Sequence, residues 1–267
     1  CTKSYINKFD DIKAIKEFSS NIDAALYEFE NIPIDTAKLI EKMTKLRPSS
    51  FILSISQDRL LEKTFLTNKA GVKTASFFPV SNIKDLLSSI DLLNGIGVLK
   101  TRRFGYDGKG QIKIDNETDI EAAFKSLNNE ELILEEYVPF KRELSVIIAR
   151  DYKGNIEVYD CVENKHKNHI LDLTIAPANN LDKIISNSAK SIAIKIATNL
   201  DLIGLLAIEL FELNDQDLLV NEIAPRPHNS GHWTMDGCIT DQFEQAARAA
   251  LGMNLGSVKR VFNVEMK

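Results

Sequence analysis

Two apolar runs around a short polar turn constrain this chain more than any other feature. Leu205-Leu206-Ala207-Ile208-Glu209-Leu210-Phe211 and Leu218-Leu219-Val220-Asn221-Glu222-Ile223 flank Asn214-Asp215-Gln216-Asp217, which reads as a β-hairpin. A turn centred between 215 and 216 places Glu209 directly opposite Glu222 on one face of the ribbon. Opposed carboxylates among apolar neighbours repel, and each buried ion costs on the order of several kcal/mol unless a cation lies between them. Mg²⁺ carrying nucleotide phosphates meets that need, with Asn221 as a further oxygen ligand. A Lys or Arg would also neutralise the pair, and a one-residue slip would expose one acid.

The rest of the composition narrows the class. With 267 residues, 44% hydrophobic and 27% charged, the chain can bury a core and hold two compact domains. Its net charge of −5 carries no basic block, which argues against a nucleic-acid groove and for small-molecule chemistry. Cys1, Cys161 and Cys238 form no CxxC pair, so neither a zinc site nor a disulfide framework is expected, and a cytoplasmic location fits. No apolar run reaches the length of a membrane span. The first residue is not Met and the last dozen look like the entry to a further domain, so a fragment of a longer protein is expected.

Periodicity gives α/β and α+β elements in three blocks. Residues 11–18 read as a helix leading to a short strand, 35–46 as a second helix, and Ser56 as the N-cap of a third that Gly71 terminates. From 72 to 138 a strand, helix 82–93, strand 98–100, a glycine loop, strand 111–114, helix 119–127 and strand 132–134 form a small unit. Strands near 143–150 and 156–162, helix 183–199, the hairpin and helix 241–251 form the larger one.

Three further segments carry chemistry. Lys100-Thr101-Arg102-Arg103-Phe104-Gly105-Tyr106-Asp107-Gly108-Lys109-Gly110-Gln111 is a glycine-rich turn whose N–H groups and lysines suit an anion such as phosphate; it is not a Walker loop, and a plain turn is the alternative. Ala224-Pro225-Arg226-Pro227-His228-Asn229-Ser230-Gly231-His232-Trp233 follows the acidic strand, and its prolines keep it extended so that Arg226 and His228 share a side suited to a substrate anion. Helical zinc spacing of His228 and His232 is disfavoured by the Pro, Asn, Ser and Gly content, and loop capping or core filling is the plainer role of the histidines. Glu135-Glu136-Tyr137-Val138 and Glu143 flank a hinge where a nucleotide could lie, or form a solvated strand end; Arg59 alone reads as a surface salt bridge.

Taken in order, Gln57-Asp58-Arg59, the Lys100–Gln111 loop, Val138-Pro139-Phe140, Arg142-Glu143-Leu144-Ser145, Asn221-Glu222-Ile223-Ala224-Pro225-Arg226 and His228-Asn229-Ser230-Gly231-His232-Trp233 resemble the 5-(carboxyamino)imidazole ribonucleotide synthases of the ATP-grasp superfamily. The resemblance covers nearly the whole chain. It implies an ATP-grasp fold at 48–252, with a lid at about 72–138 and a main subdomain at 139–252. The C-terminal part of a pre-ATP-grasp domain would occupy 1–47, and 253–267 would begin a truncated C-terminal domain. The family's opening strand with its Gly-Gln-Leu-Gly turn and its C-terminal β-rich segment have no counterpart in the sequence, and Phe104 stands where relatives usually carry a small residue.

The resemblance further implies a cytoplasmic, homodimeric ligase of purine biosynthesis. ATP would lie among Arg59, Lys100, Gly105, Tyr106, Asp107, Gly108, Lys109, Gly110, Gln111, Glu135, Glu136, Tyr137, Val138, Glu143, His166, Asn221 and Glu222. Mg²⁺ would be held by Glu209, Glu222 and Asn221. Aminoimidazole ribonucleotide or bicarbonate would meet Glu28, Tyr106, Asp107, Lys109, Arg226 and His228, with Arg226, His228 and Lys109 catalytic. Bicarbonate would be phosphorylated to carboxyphosphate and the amine carboxylated. A related ATP-grasp ligase for another acid and amine, or a non-catalytic nucleotide-binding remnant, are the alternatives.

Overall fold

In a computed structural model, residues 2–105, 108–127, 131–214 and 216–267 are described. Asp11 caps the first helix by accepting from the Ala14 N–H, and α1 (Ile12–Ser20) leads to β1 (Ala24–Ala25), α2 (Ile34–Met43) and β2 (Lys45–Leu46), which pairs parallel to β1. α3 (Ser50–Ser56) follows, so Ser56 ends a helix where it was expected to start one. Its hydroxyl donates back to the Leu53 carbonyl, and Asp58 instead caps α4 (Arg59–Asn68), accepting from Leu60 and Leu61. Gly71, at φ 58°, follows the end of α4 as expected.

Residues 72–76 run beside the later hairpin before the small unit starts: the Val220 N–H donates to the Lys73 carbonyl, and Thr74 bridges Val220. The first strand of that unit is therefore β3 (Phe77–Val80). After it come α5 (Ile83–Leu92), β4 (Gly97–Thr101), β5 (Gln111–Ile114), α6 (Ile120–Leu127) and β6 (Leu132–Glu136), in a sheet of order β3-β6-β4-β5. Leu86, Ile90, Leu99, Phe124 and Leu134 fill the space between helices and sheet. Each such side chain contributes roughly 1.5–3 kcal/mol by leaving water.

The larger unit holds β7 (Arg142–Arg150), β8 (Ile156–Val158), β9 (Val162–Lys167), β10 (Ile170–Ala176), α7 (Lys183–Asn199), β11 (Gly204–Glu212), β12 (Leu218–Ala224), the one-turn α8 (Thr234–Gly237), α9 (Gln242–Leu251) and β13 (Val264–Met266). Its sheet runs β12-β11-β7-β9-β10-β13, with β8 beside β7. The sequence reading, with a single strand near 156–162, lacked β9, β10 and β13; β13 adds to the sheet edge by pairing antiparallel with β10. A continuous core of Leu144, Val146, Ile148, Leu206 and Ile208 from the sheet with Ile185, Ala189, Ala193 and Ile196 from α7 makes this sheet the rigid floor under the hairpin.

Candidate active site

The hairpin departs from the simple register, and the departure builds the site. Ala207 pairs with Ala224 and Ile208 with Ile223, but Leu210 pairs with Val220 and Glu212 with Leu218. The turn is thus centred on one residue, and a β-bulge leaves Glu209 facing both Asn221 and Glu222, correcting the expectation of a single opposed pair. All three line one cavity of about 280 Å³. A regular strand would send consecutive side chains to opposite faces; the bulge lets Asn221 and Glu222 share one.

Helix α4 braces this strand from below. The buried Glu62 carboxylate accepts from the Ile223 N–H at 2.7 Å, and the buried Lys63 ammonium donates to the Asn221 carbonyl at 3.1 Å. Lys63 also lies 3.3 Å from Glu135 of β6, whose other partner is Lys100 of β4 at 2.9 Å. Lysines and Arg59 outweigh burial and hold Glu135 down at about 2. Its Oε1 is buried without a hydrogen-bond partner. Glu62, by contrast, is pushed up to about 8 by burial and then by Glu222.

The acidic pair is only partly neutralised. Arg59 reaches 3.0 Å from Glu222, so it is a partly buried site residue and not the surface salt bridge its sequence context suggests. Burial raises Glu222, yet Arg59 and then Lys100 bring it below its ordinary value. Glu209 has the Asn221 amide at 3.5 Å and His228 Nε2 at 3.3 Å, and burial followed by repulsion from Glu222 lifts it to about 8. Two carboxylates and an amide oxygen are three hard donors that fit Mg²⁺, whose charge would displace the proton from Glu209. Among the described residues no group of three or more His, Cys, Asp or Glu is placed to hold a metal alone. Magnesium characteristically takes one or two carboxylates and completes its shell with phosphate and water.

The opposite wall is the glycine loop. Gly105, Gly108, Lys109 and Gln111 line the cavity beside Lys100. Gly108 and Gly110 have φ of 74° and 71°; a Cβ on Gly108 would meet the His169 ring at 2.5 Å, and one on Gly110 the Thr101 hydroxyl at 2.6 Å. Tyr106 and Asp107 lie outside the described residues. His166 on β9 and Glu143 on β7 form an ion pair that raises the imidazole, and both line the cavity. Gly110 and residues 135–138 do not line it: Glu136 binds Ser76 through its carboxylate, and Lys113 sits over the Tyr137 ring.

On the third side, Arg226 and His228 both enter the cavity, as their two-residue spacing suggested. Arg226 makes a bidentate bond to Glu30 at 2.9 and 3.0 Å. Glu28 is exposed and borders a separate apolar hollow with Tyr27 and Phe29, so the acid that reaches the cleft is Glu30, two residues on. The segment after His228, expected to be non-helical, folds into a 3₁₀ turn over Asn229–Gly231. Gln242 clamps the His228 backbone, accepting from its N–H and donating to its carbonyl. Burial, then Arg226, lowers the His228 imidazole to about 4. Sequence reasoning missed Glu30, Asn164, His169 and Ser230; only the EFEN and HNSG strings around two of them hinted at a role.

Known families match this arrangement. The ATP-grasp domain family matches residues 65–243, and the ribonucleotide synthetase preATP-grasp domain matches 1–57. An N5-carboxyaminoimidazole ribonucleotide synthase of Brucella melitensis is 42% identical over 97% of this chain and 71% of its own length. A bifunctional purine synthesis protein of Dictyostelium discoideum is 43% identical over 99% of this chain, which spans only 27% of that protein. A solved ADP complex of an N5-carboxyaminoimidazole ribonucleotide synthetase superposes with a TM-score of 0.93 at 40% identity, covering 97% of this chain and 68% of the other.

Proposed function

This chain belongs to the N5-carboxyaminoimidazole ribonucleotide synthase family of ATP-grasp ligases, and from that premise we propose that it carries the catalytic centre for ATP- and bicarbonate-dependent carboxylation of 5-aminoimidazole ribonucleotide. In this reading the lid runs from about 77 to 138, 139–252 is the main subdomain, 1–47 belongs to the pre-ATP-grasp domain and 253–267 to a further one. Carrying the proposal is one observation: the bulge directs Glu209, Asn221 and Glu222 into a cleft faced by Lys100 and Lys109 on one side and Arg226 and His228 on another.

Glu209, Glu222 and Asn221 would hold Mg²⁺, which when bound offsets charge on the nucleotide phosphates. Lys100, Lys109 and the loop N–H groups orient the phosphates and spread the charge that builds on the transferring phosphoryl group. Arg226, held by Glu30, offers its remaining N–H groups to the bicarbonate oxygens, and the neutral His228 adds a donor. Bicarbonate oxygen attacks the γ-phosphorus and ADP leaves; carboxyphosphate then breaks at its C–O bond to CO₂ and phosphate. The amine attacks CO₂, losing a proton to form the carbamate. Gly108 of the glycine loop packs against His169 of the β9–β10 turn, and this cover over the cleft would help keep water from the acyl phosphate.

The test uses ¹⁸O-bicarbonate. ADP release must depend on the ribonucleotide, and the phosphate formed must carry one ¹⁸O. Turnover that is indifferent to ribonucleotide, or phosphate without label, overturns the proposal. A homodimer in the cytoplasm belongs to the same reading, and light scattering checks the dimer.

A further inference from the structure

Behind His228 lies a file of buried polar side chains that the reaction scheme leaves unused. Thr174 on β10, Asn164 on β9, Ser145 on β7 and Ser230 in the 3₁₀ turn are each at most 5% exposed. Thr174 Oγ1 donates to Asn164 Oδ1 at 3.0 Å, Asn164 Nδ2 donates to Ser145 Oγ at 2.9 Å, and Ser145 Oγ donates to Ser230 Oγ at 2.8 Å. Ser230 Oγ lies 2.8 Å from His228 Nδ1. Buried polar groups are retained where every member finds a partner, and a file of this kind has a direction.

The direction follows from counting protons. An amide has one accepting and one donating end, so Asn164 accepts from Thr174 and donates to Ser145. Each hydroxyl has one hydrogen to give; Ser145 gives its to Ser230, and Ser230 gives its to Nδ1. A second observation fixes the same end of the file independently of how the amide is turned. The Ser230 backbone N–H, which can only donate, lies 3.3 Å from His228 Nδ1. An Nδ1 that receives two donors holds no proton, so the ring's hydrogen is on Nε2, which faces the cleft 3.3 Å from Glu209.

We propose that Asn164, Ser145 and Ser230 are positioning residues that lock His228 as the Nε2–H tautomer, so that this histidine serves the reaction as a hydrogen-bond donor and not as a proton acceptor. The inference rests on the reading of the cleft as the carboxylation site for its consequence, but not for its geometry. In that site Nε2–H points where carboxylate oxygens of bicarbonate or of the new carbamate lie, and it leaves removal of the amine proton to another acceptor. The three strands that carry the file are adjacent in the sheet, which explains how a loop residue can be held so firmly: the sheet orients its ring while Gln242 grips its backbone.

The experiment is an NMR measurement on the whole chain with ¹⁵N-labelled histidine. Four histidines give four ring patterns, and loss of one in His228→Gln assigns the signal. The expected pattern is an unprotonated, pyridine-type Nδ1 and a protonated Nε2. An Nδ1–H pattern overturns the proposal outright. In Asn164→Asp the carboxylate accepts from Thr174 and Ser145 together, Ser145 no longer donates to Ser230, and the freed Ser230 hydroxyl can accept from Nδ1; the Nδ1–H form should then gain population against the one donor that remains, the Ser230 backbone N–H. The same variant should lose kcat by at least about tenfold, with KM for ATP unchanged, as a wrong tautomer does elsewhere. Should Asn164→Asp not fold, Ser145→Ala frees the Ser230 hydroxyl to donate to or accept from Nδ1, and the same shift toward Nδ1–H is expected in smaller degree. An unchanged tautomer ratio in the variant that folds refutes the positioning role, whatever happens to kcat. A correct tautomer in a chain that shows no ribonucleotide-dependent turnover refutes the carboxylation reading instead.

Discussion

Glu209 and Glu222 have the same side chain and opposite environments. Arg59 supports the charge on Glu222, whereas Glu209 has a neutral amide and a neutral imidazole for partners. Replacing Glu222 by Gln should therefore remove Mg²⁺-dependent turnover while the far-ultraviolet circular dichroism stays native; a chain that fails to fold without a separate catalytic defect would contradict the metal role. The Glu30–Arg226 pair predicts a different signature. Its two bonds orient the guanidinium, so Glu30→Gln should lower kcat/KM for bicarbonate by about tenfold to a hundredfold, the value of roughly 1.5–3 kcal/mol for a hydrogen bond to a charged group. Equal loss in Glu28→Gln would show that the wrong acid has been placed in the cleft.

At the scale of elements, legibility depended on whether periodicity reaches the position concerned. Amphipathic helices such as α5, α7 and α9 and the apolar hairpin strands emerge within a residue or two, because a buried face imposes a period. The bulge does not, since register arithmetic assumes equal numbers of residues on both strands, and the extra residue shows only through pairing. Glu28 and Glu30 stand in an irregular stretch after β1, where alternation has no sheet to refer to. The β9–β10 turn escaped notice because Asn168 and His169, not glycines, take the left-handed conformation at its tip. Gly110 tests the reading of its own loop. An added methyl there is strained by φ and meets the Thr101 hydroxyl at 2.6 Å, while the Gly110 carbonyl accepts from the Thr101 N–H. Gly110→Ala should cost about 1–3 kcal/mol of local strain and raise KM for ATP by tenfold or more, with the melting temperature of the larger unit little changed. Steady-state kinetics at saturating bicarbonate would reveal it, and an unaltered KM would remove the loop from phosphate binding.

Across the whole molecule the buried acids tie stability to pH. Glu209 and Glu62 both have their pKa raised from 4.5 to about 8, so between those values the folded chain keeps protons that the unfolded chain has lost. Stability then falls as pH rises through that window, because the native state binds more protons than the unfolded one. His166, raised by Glu143, adds to the same trend, whereas His228, lowered to about 4, opposes it as pH rises from there toward 6.5. Glu135, lowered to about 2, contributes stability that is present above its unfolded value of 4.5 and lost only in stronger acid, outside the window. Subtracting the melting curve of Glu209→Gln isolates the one group. The variant should melt above the parent at pH 8, and the gap should shrink toward pH 5, where Glu209 is protonated in the folded chain. Mg²⁺ with ADP should reverse the order, because a deprotonated Glu209 is the form that grips the ion: the ligand-induced rise in melting temperature should grow with pH in the parent and stay flat in the variant. Differential scanning calorimetry at pH 5, 6.5 and 8, with and without Mg²⁺ and ADP, measures both differences. Parallel curves in all conditions would mean that the carboxylate at position 209 neither carries the buried charge nor holds the metal.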